Sequence, residues 1–165
     1  MNSSLVYRAP WGRSLKWVSI LASLICLAAV AVCSRRLSHL AGTPGLLVLW
    51  TPPLALLGAA FFIIRSYRIE GETLLVDRLL WTTRVPLAGL LSASIELNAM
   101  RASIRKCGNG GLYSFTGWYW SRALGHYRAF VTDPTHTVVL RFPTRTIVVS
   151  PENADDFVRA IRRRR

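Results

Sequence analysis

The sequence has few acidic residues and few cysteines. Only 8 of its 165 residues are Asp or Glu, against 21 Lys or Arg, and no acid precedes Arg65. The cysteines, Cys26, Cys33 and Cys107, are odd in number and lack metal-ligand spacing. Neither a disulfide framework nor a zinc site is therefore indicated.

Motifs of catalysis and of phosphate binding are also missing. The sequence has no His-x-Glu, no Cys-x-x-Cys and no nucleophile elbow. The segment 108–111 is rich in glycine but lacks the Lys-Ser/Thr pair that completes a phosphate loop. We therefore expect a protein that is not an enzyme, with no catalytic residues, no cofactor and no metal ion.

Charge is absent from two long apolar stretches near the N-terminus. Trp17 to Ser34 carries no charged side chain, and neither does Leu37 to Ile64. A helix needs roughly 20 apolar residues to cross a bilayer. The sequence predicts a membrane α-hairpin, with two transmembrane helices at about 17–34 and 46–64. A cleaved signal peptide is the alternative for the first stretch, but the second stretch argues against it.

Two features complete the prediction for residues 1–64. Pro52 and Pro53 fall inside the second span and should kink it or break its hydrogen-bond ladder. Basic residues near the span ends favour a cytoplasmic N-terminal segment, since five flank the hairpin and two lie in its loop. This distribution predicts a multi-pass protein of the cell inner (plasma) membrane with both termini in the cytoplasm. The residues counted are Arg8, Arg13, Lys16, Arg65 and Arg68 on one side, and Arg35 and Arg36 on the other.

After Ile64 the pattern changes to short alternating segments bounded by turns, which indicates a soluble domain over 65–165. We predict about seven antiparallel strands, with an irregular stretch rich in glycine and aromatics between Arg101 and Gly125. The strands are two within 67–77 and one each at 80–85, 92–97, 127–132, 137–142 and 146–149.

A helix should close the domain. Ser150 is a good N-cap and Pro151 suits the first helical position, so the helix is predicted from about Pro151 to Arg163. Phe157 lies on its apolar stripe and should be buried. The expected fold is an α+β domain, a β-sandwich or barrel closed by this C-terminal helix.

Two segments resemble those of a known family. The run 110–127 contains Gly-Gly-Leu-Tyr-Ser-Phe-Thr-Gly-Trp-Tyr-Trp, and Thr146 to Glu152 reads Thr-Ile-Val-Val-Ser-Pro-Glu. Together they resemble the bacterial PH-like (pleckstrin-homology-like) domains of small membrane proteins. The resemblance implies a PH-like fold and a non-enzymatic, membrane-tethered interaction domain, and it carries no catalytic residue with it.

Candidate contact residues are basic or aromatic and lie in the domain. A basic cluster surrounds the glycine-rich turn, an aromatic segment spans 113–120, and four arginines end the chain. The alternative for the aromatic segment, which its composition favours, is packing in the core and turns. The candidates for membrane or partner contact are Arg101, Arg105, Lys106, Trp118, Tyr119, Trp120, Arg122, Arg162, Arg163, Arg164 and Arg165.

The expected function is that of a non-catalytic interaction module anchored in the lipid bilayer. Its basic domain would be presented to a protein partner or to anionic lipid headgroups at the membrane surface. Glu70, Glu72 and Asp77 argue against a specific phosphate cradle at the first strand pair. The membrane tether argues against nucleic acid. The alternative is an accessory or immunity-type protein that acts on a membrane complex through its hairpin.

Overall fold

The computed structural model describes residues 5–37 and 43–163. Two helices separate a first short strand from nine further strands and a last helix. The helices are α1 (Arg13–Leu37), α2 (Thr43–Ala60) and α3 (Ala154–Arg162). The strands are β1 (Leu5–Arg8), β2 (Ile64–Glu70), β3 (Thr73–Arg78), β4 (Thr82–Pro86), β5 (Ser92–Ile95), β6 (Ile104–Gly110), β7 (Phe115–Ser121), β8 (Gly125–Val131), β9 (Val138–Arg141) and β10 (Thr146–Val149).

The described parts of the two apolar stretches contain α1 and α2, but α2 ends at Ala60 and Ile64 already belongs to β2. Within the described residues, α1 over Arg13–Arg35 is long and apolar enough to cross a membrane. Its large side chains face outward, with Trp17 72% and Leu27 63% exposed. Helix α2 continues through Pro52 and Pro53, so the prolines do not end the helix. A second membrane-spanning helix is not confirmed, and part of that predicted span, 46–49, has side chains outside the described residues.

The strands form two sheets rather than one closed barrel. One sheet has the order β1-β2-β3-β4, and the other has the order β5-β9-β10-β8-β7-β6. All neighbouring strands are antiparallel except β8 and β10, which are parallel. The expectation of two sheets closed by a C-terminal helix is confirmed. The expectation of purely antiparallel pairing is wrong.

The larger of two hydrophobic clusters in the described residues lies between the sheets and α3, and the smaller one includes Tyr119 and Tyr127. Phe157, predicted to be buried, is fully buried and packs edge-to-face on Tyr7 and Tyr67 at 5.2 and 6.2 Å. Tyr67 donates its hydroxyl proton to the Phe130 carbonyl at 2.7 Å, and burial raises the pKa of Tyr67 to about 12. These contacts fix α3 against both sheets.

Three strands were not predicted. Strand β1 belongs to the segment before the helices, yet it pairs along its length with β2. Strands β6 and β7 occupy the stretch between Arg101 and Gly125 that we expected to be irregular. They pair closely because Gly108 and Gly117 face each other, both at positive φ. A Cβ on either glycine would collide with the opposite backbone, so only glycine fits there.

Helix α3 begins later than predicted. Its N-cap is Asn153, and Ser150 lies before the helix. The Ser150 hydroxyl is fully buried and accepts the backbone N–H of Thr132 at 2.9 Å and of Asp133 at 3.2 Å. Because this oxygen joins the end of β10 to the end of β8, it is not available to cap α3.

Candidate functional site

Two arginines and four aromatic rings form a continuous stack at the end of the sandwich that α2 leads into. Each guanidinium carbon lies between 4.9 and 5.8 Å from the ring centroids beside it. These distances are within the roughly 6 Å reach of a cation–π interaction. The stack is termed the arginine–aromatic ladder, and its members in spatial order are Trp118, Arg128, Phe130, Arg78, Trp81 and Phe62.

Strand geometry brings the middle of the ladder together. Arg128 and Phe130 are two residues apart on β8, so they point to the same face of the sheet. Trp118 on β7 lies directly opposite Arg128 in the strand register. Arg78 reaches Phe130 from the end of β3 in the other sheet. The ladder therefore bridges the two sheets.

Arg78 is the buried cation of the ladder, with 6% of its surface exposed. Its Nε donates to Thr83 Oγ1 at 3.3 Å and its Nη1 donates to the Phe62 carbonyl at 3.4 Å. Among the residues that the structure describes, no carboxylate lies within ion-pair distance of it. Burial, followed by repulsion from Arg128, lowers the pKa of Arg78 to about 10. An anion placed beside Arg78 would favour its charged form and raise its pKa again.

The connection between β6 and β7 holds the first turns of α1 against the domain. Leu15 is fully buried there. Ser19 Oγ accepts the backbone N–H of Tyr113 at 3.0 Å, and the Tyr113 hydroxyl lies 3.0 Å from Ser23 Oγ. Ser114 Oγ donates to the Phe62 carbonyl at 2.9 Å, just beyond α2. The bases of both helices are therefore fastened to the β-sandwich.

The four predicted basic contacts, Arg101, Arg105, Lys106 and Arg122, are exposed and lie outside the ladder. Arg105 donates to the Gly108 carbonyl at 3.3 Å within its own strand. Ile104 pairs with Trp120, so the residues before β6 and after β7 lie at the same end of the strand pair. These four residues remain candidate contacts, and no bound partner tests them.

The three aromatic candidates divide between surface and core. Trp118 is 51% exposed and Trp120 is half-buried. Tyr119 points to the opposite face, where it is buried and stacks on Tyr127 at 5.8 Å. Its hydroxyl donates to the Asn109 carbonyl at 2.6 Å, and burial raises the pKa of Tyr119 to about 12. Alternation along β7 therefore turns Tyr119 into the core, which is the alternative that the sequence left open for this segment.

The C-terminal arginines also differ in their surroundings. Arg162 Nη2 donates to the Ala93 carbonyl at 3.0 Å, so this side chain binds α3 to β5. Arg163 is exposed. Arg164 and Arg165 lie outside the described residues.

The ladder residues Arg78, Arg128, Phe62 and Trp81 were not predicted as a site. One signal was available, because Leu79-Leu80-Trp81 places three large apolar residues in a strand connection, where polar turn residues are usual. No pattern along the chain could show that Phe130 separates two guanidinium groups. That arrangement depends on how the two sheets pack.

The chemistry available at the ladder is that of anion and aromatic recognition. Over the described ranges 5–37 and 43–163, no group of three or more His, Cys, Asp or Glu side chains is placed to hold a metal ion. Guanidinium groups form strong hydrogen bonds with phosphate and carboxylate oxygens. The ladder therefore offers two cations without carboxylate partners at the point where the helices meet the domain.

Comparison with known proteins identifies one family. No curated protein and no solved structure matches the chain. A family model described as a bacterial PH domain matches residues 65–165. This match covers more than half of the chain, and it coincides with the nine strands and the helix that follow α2. The chain belongs to the bacterial PH domain family.

Proposed function

We propose that this protein is a membrane-anchored, non-catalytic interaction module of the inner membrane. In this proposal, residues 1–64 contain the anchor, α1 and α2 cross the bilayer as a hairpin, and residues 65–165 form the cytoplasmic PH domain. The basic domain faces the headgroups of the inner leaflet and is positioned to contact a protein partner there. PH-like domains are in general interaction modules rather than catalysts, which agrees with this role.

The exposed apolar surface of α1 is the observation that carries the proposal. Large side chains project outward along the helix, including Leu21, Leu24 and Leu27, each more than half exposed. In water, such a surface would need to be covered by another part of a protein. In a bilayer, the lipid chains cover it. Leu54 and Leu57 on α2 are exposed in the same way.

The pairing of β1 with β2 supports two crossings rather than one. Strand β1 precedes α1, and β2 follows α2, yet the two strands are hydrogen-bonded neighbours. They must therefore lie on the same side of any membrane. If α1 crosses the bilayer, the chain has to return before β2, and α2 is the segment between them.

The basic residues support a cytoplasmic domain. Arg8, Arg13 and Lys16 lie at or just before the start of α1, and Arg65 and Arg68 lie on β2. Arg35 and Arg36 lie at the other end of α1. Positive charge is retained on the cytoplasmic side of a membrane. The domain and the segment before α1 therefore belong inside the cell.

Reporter fusions provide the test of topology. A reporter that is active only outside the cytoplasm should give signal when inserted after Ser38 and none when fused after Arg165. Carbonate extraction of native membranes should leave the full chain in the pellet. Signal from the Arg165 fusion would overturn the orientation, and release of the protein by carbonate would overturn the anchor.

A further inference from the structure

An open cleft lies beside the ladder, between β1, the start of β2 and the connection from β3 to β4. Its volume is about 550 Å³. Arg8, Arg65 and Arg78 contribute three cations to its lining, and Leu79, Leu80 and Trp81 form its apolar edge. A phosphate group with part of an attached chain fits a space of this size and character.

The cations of the cleft are available to an anion. Arg8 and Arg65 are exposed, and within the described part of the chain neither forms an ion pair. Arg78 has no carboxylate within ion-pair distance there either, as described above. Burial and repulsion from Arg128 disfavour the charged form of Arg78, and a bound anion would offset both.

One carboxylate also lines the cleft, but its oxygens are already engaged. Asp77 accepts from Arg68 Nε and Nη2, each at 3.0 Å. It also accepts from Ser66 at 3.1 Å and from Thr82 at 2.9 Å. Asp77 is therefore neutralised by Arg68, and the other three arginines keep their charge for a ligand.

The edge of the cleft is apolar and exposed. Leu79, Leu80 and Trp81 are 43, 65 and 41% exposed. Trp81 packs edge-to-face on Phe62 at 5.4 Å, and Phe62 follows α2 by two residues. The apolar edge is therefore next to the point where the second helix leaves the domain. Tryptophan is enriched at such positions because its ring suits the membrane interface.

The length of α1 places this edge within the lipid interface. Contacts from Tyr113 reach α1 as far as Ser23. Beyond Ser23, the helix extends to Leu37, which is about 21 Å at roughly 1.5 Å per residue. A hydrocarbon core is about 30 Å thick. If α1 crosses the bilayer, the end of the domain beside α1 reaches into the interface. Trp81, at the edge of the cleft, packs on Phe62 at the base of α2.

We propose that this cleft binds the headgroup phosphate of an anionic bilayer phospholipid. Arg8, Arg65 and Arg78 face the phosphate, while Leu79, Leu80 and Trp81 lie beside the acyl chains. The inference rests on the proposed membrane anchoring, and it adds a defined binding site to it. It places the lipid contact at the bases of the helices, and not at the basic residues around β6.

Native mass spectrometry of the full chain in detergent tests the proposal. The probes are short-chain phosphatidylglycerol, short-chain phosphatidylcholine, and glycerophosphoglycerol, which is the first headgroup without acyl chains. Phosphatidylglycerol should bind at least about tenfold more tightly than either of the others. Equal binding of the two lipids would overturn the charge argument. Equal binding of glycerophosphoglycerol would assign the cleft to a soluble phosphate ester instead of a lipid.

Paired variants locate the site. R8A/R65A removes two exposed cleft cations and should weaken phosphatidylglycerol binding by about thirtyfold, given about 1 kcal/mol per arginine. R101A/R122A removes the same charge outside the cleft and should change binding by less than about threefold. L80S should weaken phosphatidylglycerol binding and leave glycerophosphoglycerol binding unchanged. Equal losses of phosphatidylglycerol binding in the two double variants would overturn the assignment of the binding site to the cleft.

Carbonate extraction of the same variants separates this inference from the anchor. All of them should remain in the membrane pellet. If they remain there but show no lipid preference, the cleft proposal fails and the anchor stands. If the unmodified chain is released by carbonate, the anchor itself fails.

Discussion

Asp77 and Arg78 are adjacent on β3, but their charged groups have different surroundings. Asp77 is surrounded by donors, and its principal partner is Arg68, which binds it through two nitrogens at 3.0 Å. Arg78 lies among aromatic rings, and no carboxylate of the described residues is within ion-pair distance. Because neighbouring strand residues point to opposite faces, the two side chains have different surroundings, although both residues line the cleft.

The charge of Asp77 contributes to folding, whereas the charge of Arg78 is available for binding. A carboxylate with all its donors in place is satisfied within the chain and favours the folded state. A desolvated guanidinium without an anion carries a cost that only a ligand removes. We therefore expect changes at Asp77 to alter stability, and changes at Arg78 to alter ligand binding.

Asp77→Asn should produce a larger loss of stability than changes at Arg78 or Glu70. The substitution keeps the shape but removes the charge that Arg68, Ser66 and Thr82 surround, so the free energy of unfolding should fall by about 1 to 3 kcal/mol. Urea unfolding of the full chain in detergent would measure it. Lipid binding should be retained. Unchanged stability would show that the network contributes nothing to folding.

The same carboxylate predicts a pH dependence. Burial opposes ionisation of Asp77, but hydrogen bonds from Arg68, Thr82 and Ser66 outweigh it and lower its pKa below 3.8. The stabilisation is therefore complete above about pH 4 and is lost as the pH falls through the folded-state pKa. The Asp77→Asn variant should show a shallower loss of stability in acid than the unmodified chain. Identical acid profiles would contradict this assignment.

Arg78→Met should have a smaller effect on stability and a clear effect on binding. Methionine fills a similar volume and removes the cost of a buried cation, which offsets the lost ring and hydrogen-bond contacts. We expect the free energy of unfolding to change by less than about 1 kcal/mol. Phosphatidylglycerol binding should fall by about fivefold or more. A destabilisation as large as that of Asp77→Asn would assign Arg78 to folding.

Much of the fold could be predicted from local patterns. Strands β2 to β5 and β8 to β10 are short apolar or alternating segments bounded by turn residues, and Phe157 lies on a helical stripe. Strands β6 and β7 could not be found in this way, because their pairing depends on Gly108 facing Gly117. Strand β1 is four residues long and separated from its partner by two helices. Contacts across such a distance leave no periodic signal in the chain.

The candidate site was less predictable than the fold. The sequence located basic and aromatic residues around β6 and β7, of which Trp118 belongs to the ladder. It left open whether the aromatic segment is core or surface, and the alternation along β7 places Tyr119 in the core. The cleft brings together Arg8, Arg65 and Arg78 from three separate strands. Only the packing of β1 on β2 joins the first of these to the others.

Glu70→Gln should have the smallest effect, and it sharpens the contrast with Asp77. Glu70 Oε1 lies 3.3 Å from Arg68 Nη1, but the two side chains are 43 and 36% exposed. Water screens such a pair, so its loss should lower the free energy of unfolding by less than about 0.5 kcal/mol. Glu72→Gln is the matched control, since Glu72 forms no ion pair among the described residues. The two variants should be indistinguishable by urea unfolding at 0.5 M salt or above, where screening is strong. A loss at Glu70 that equals the loss at Asp77 would show that Arg68 depends on both acids, and burial would no longer explain why one pair matters more.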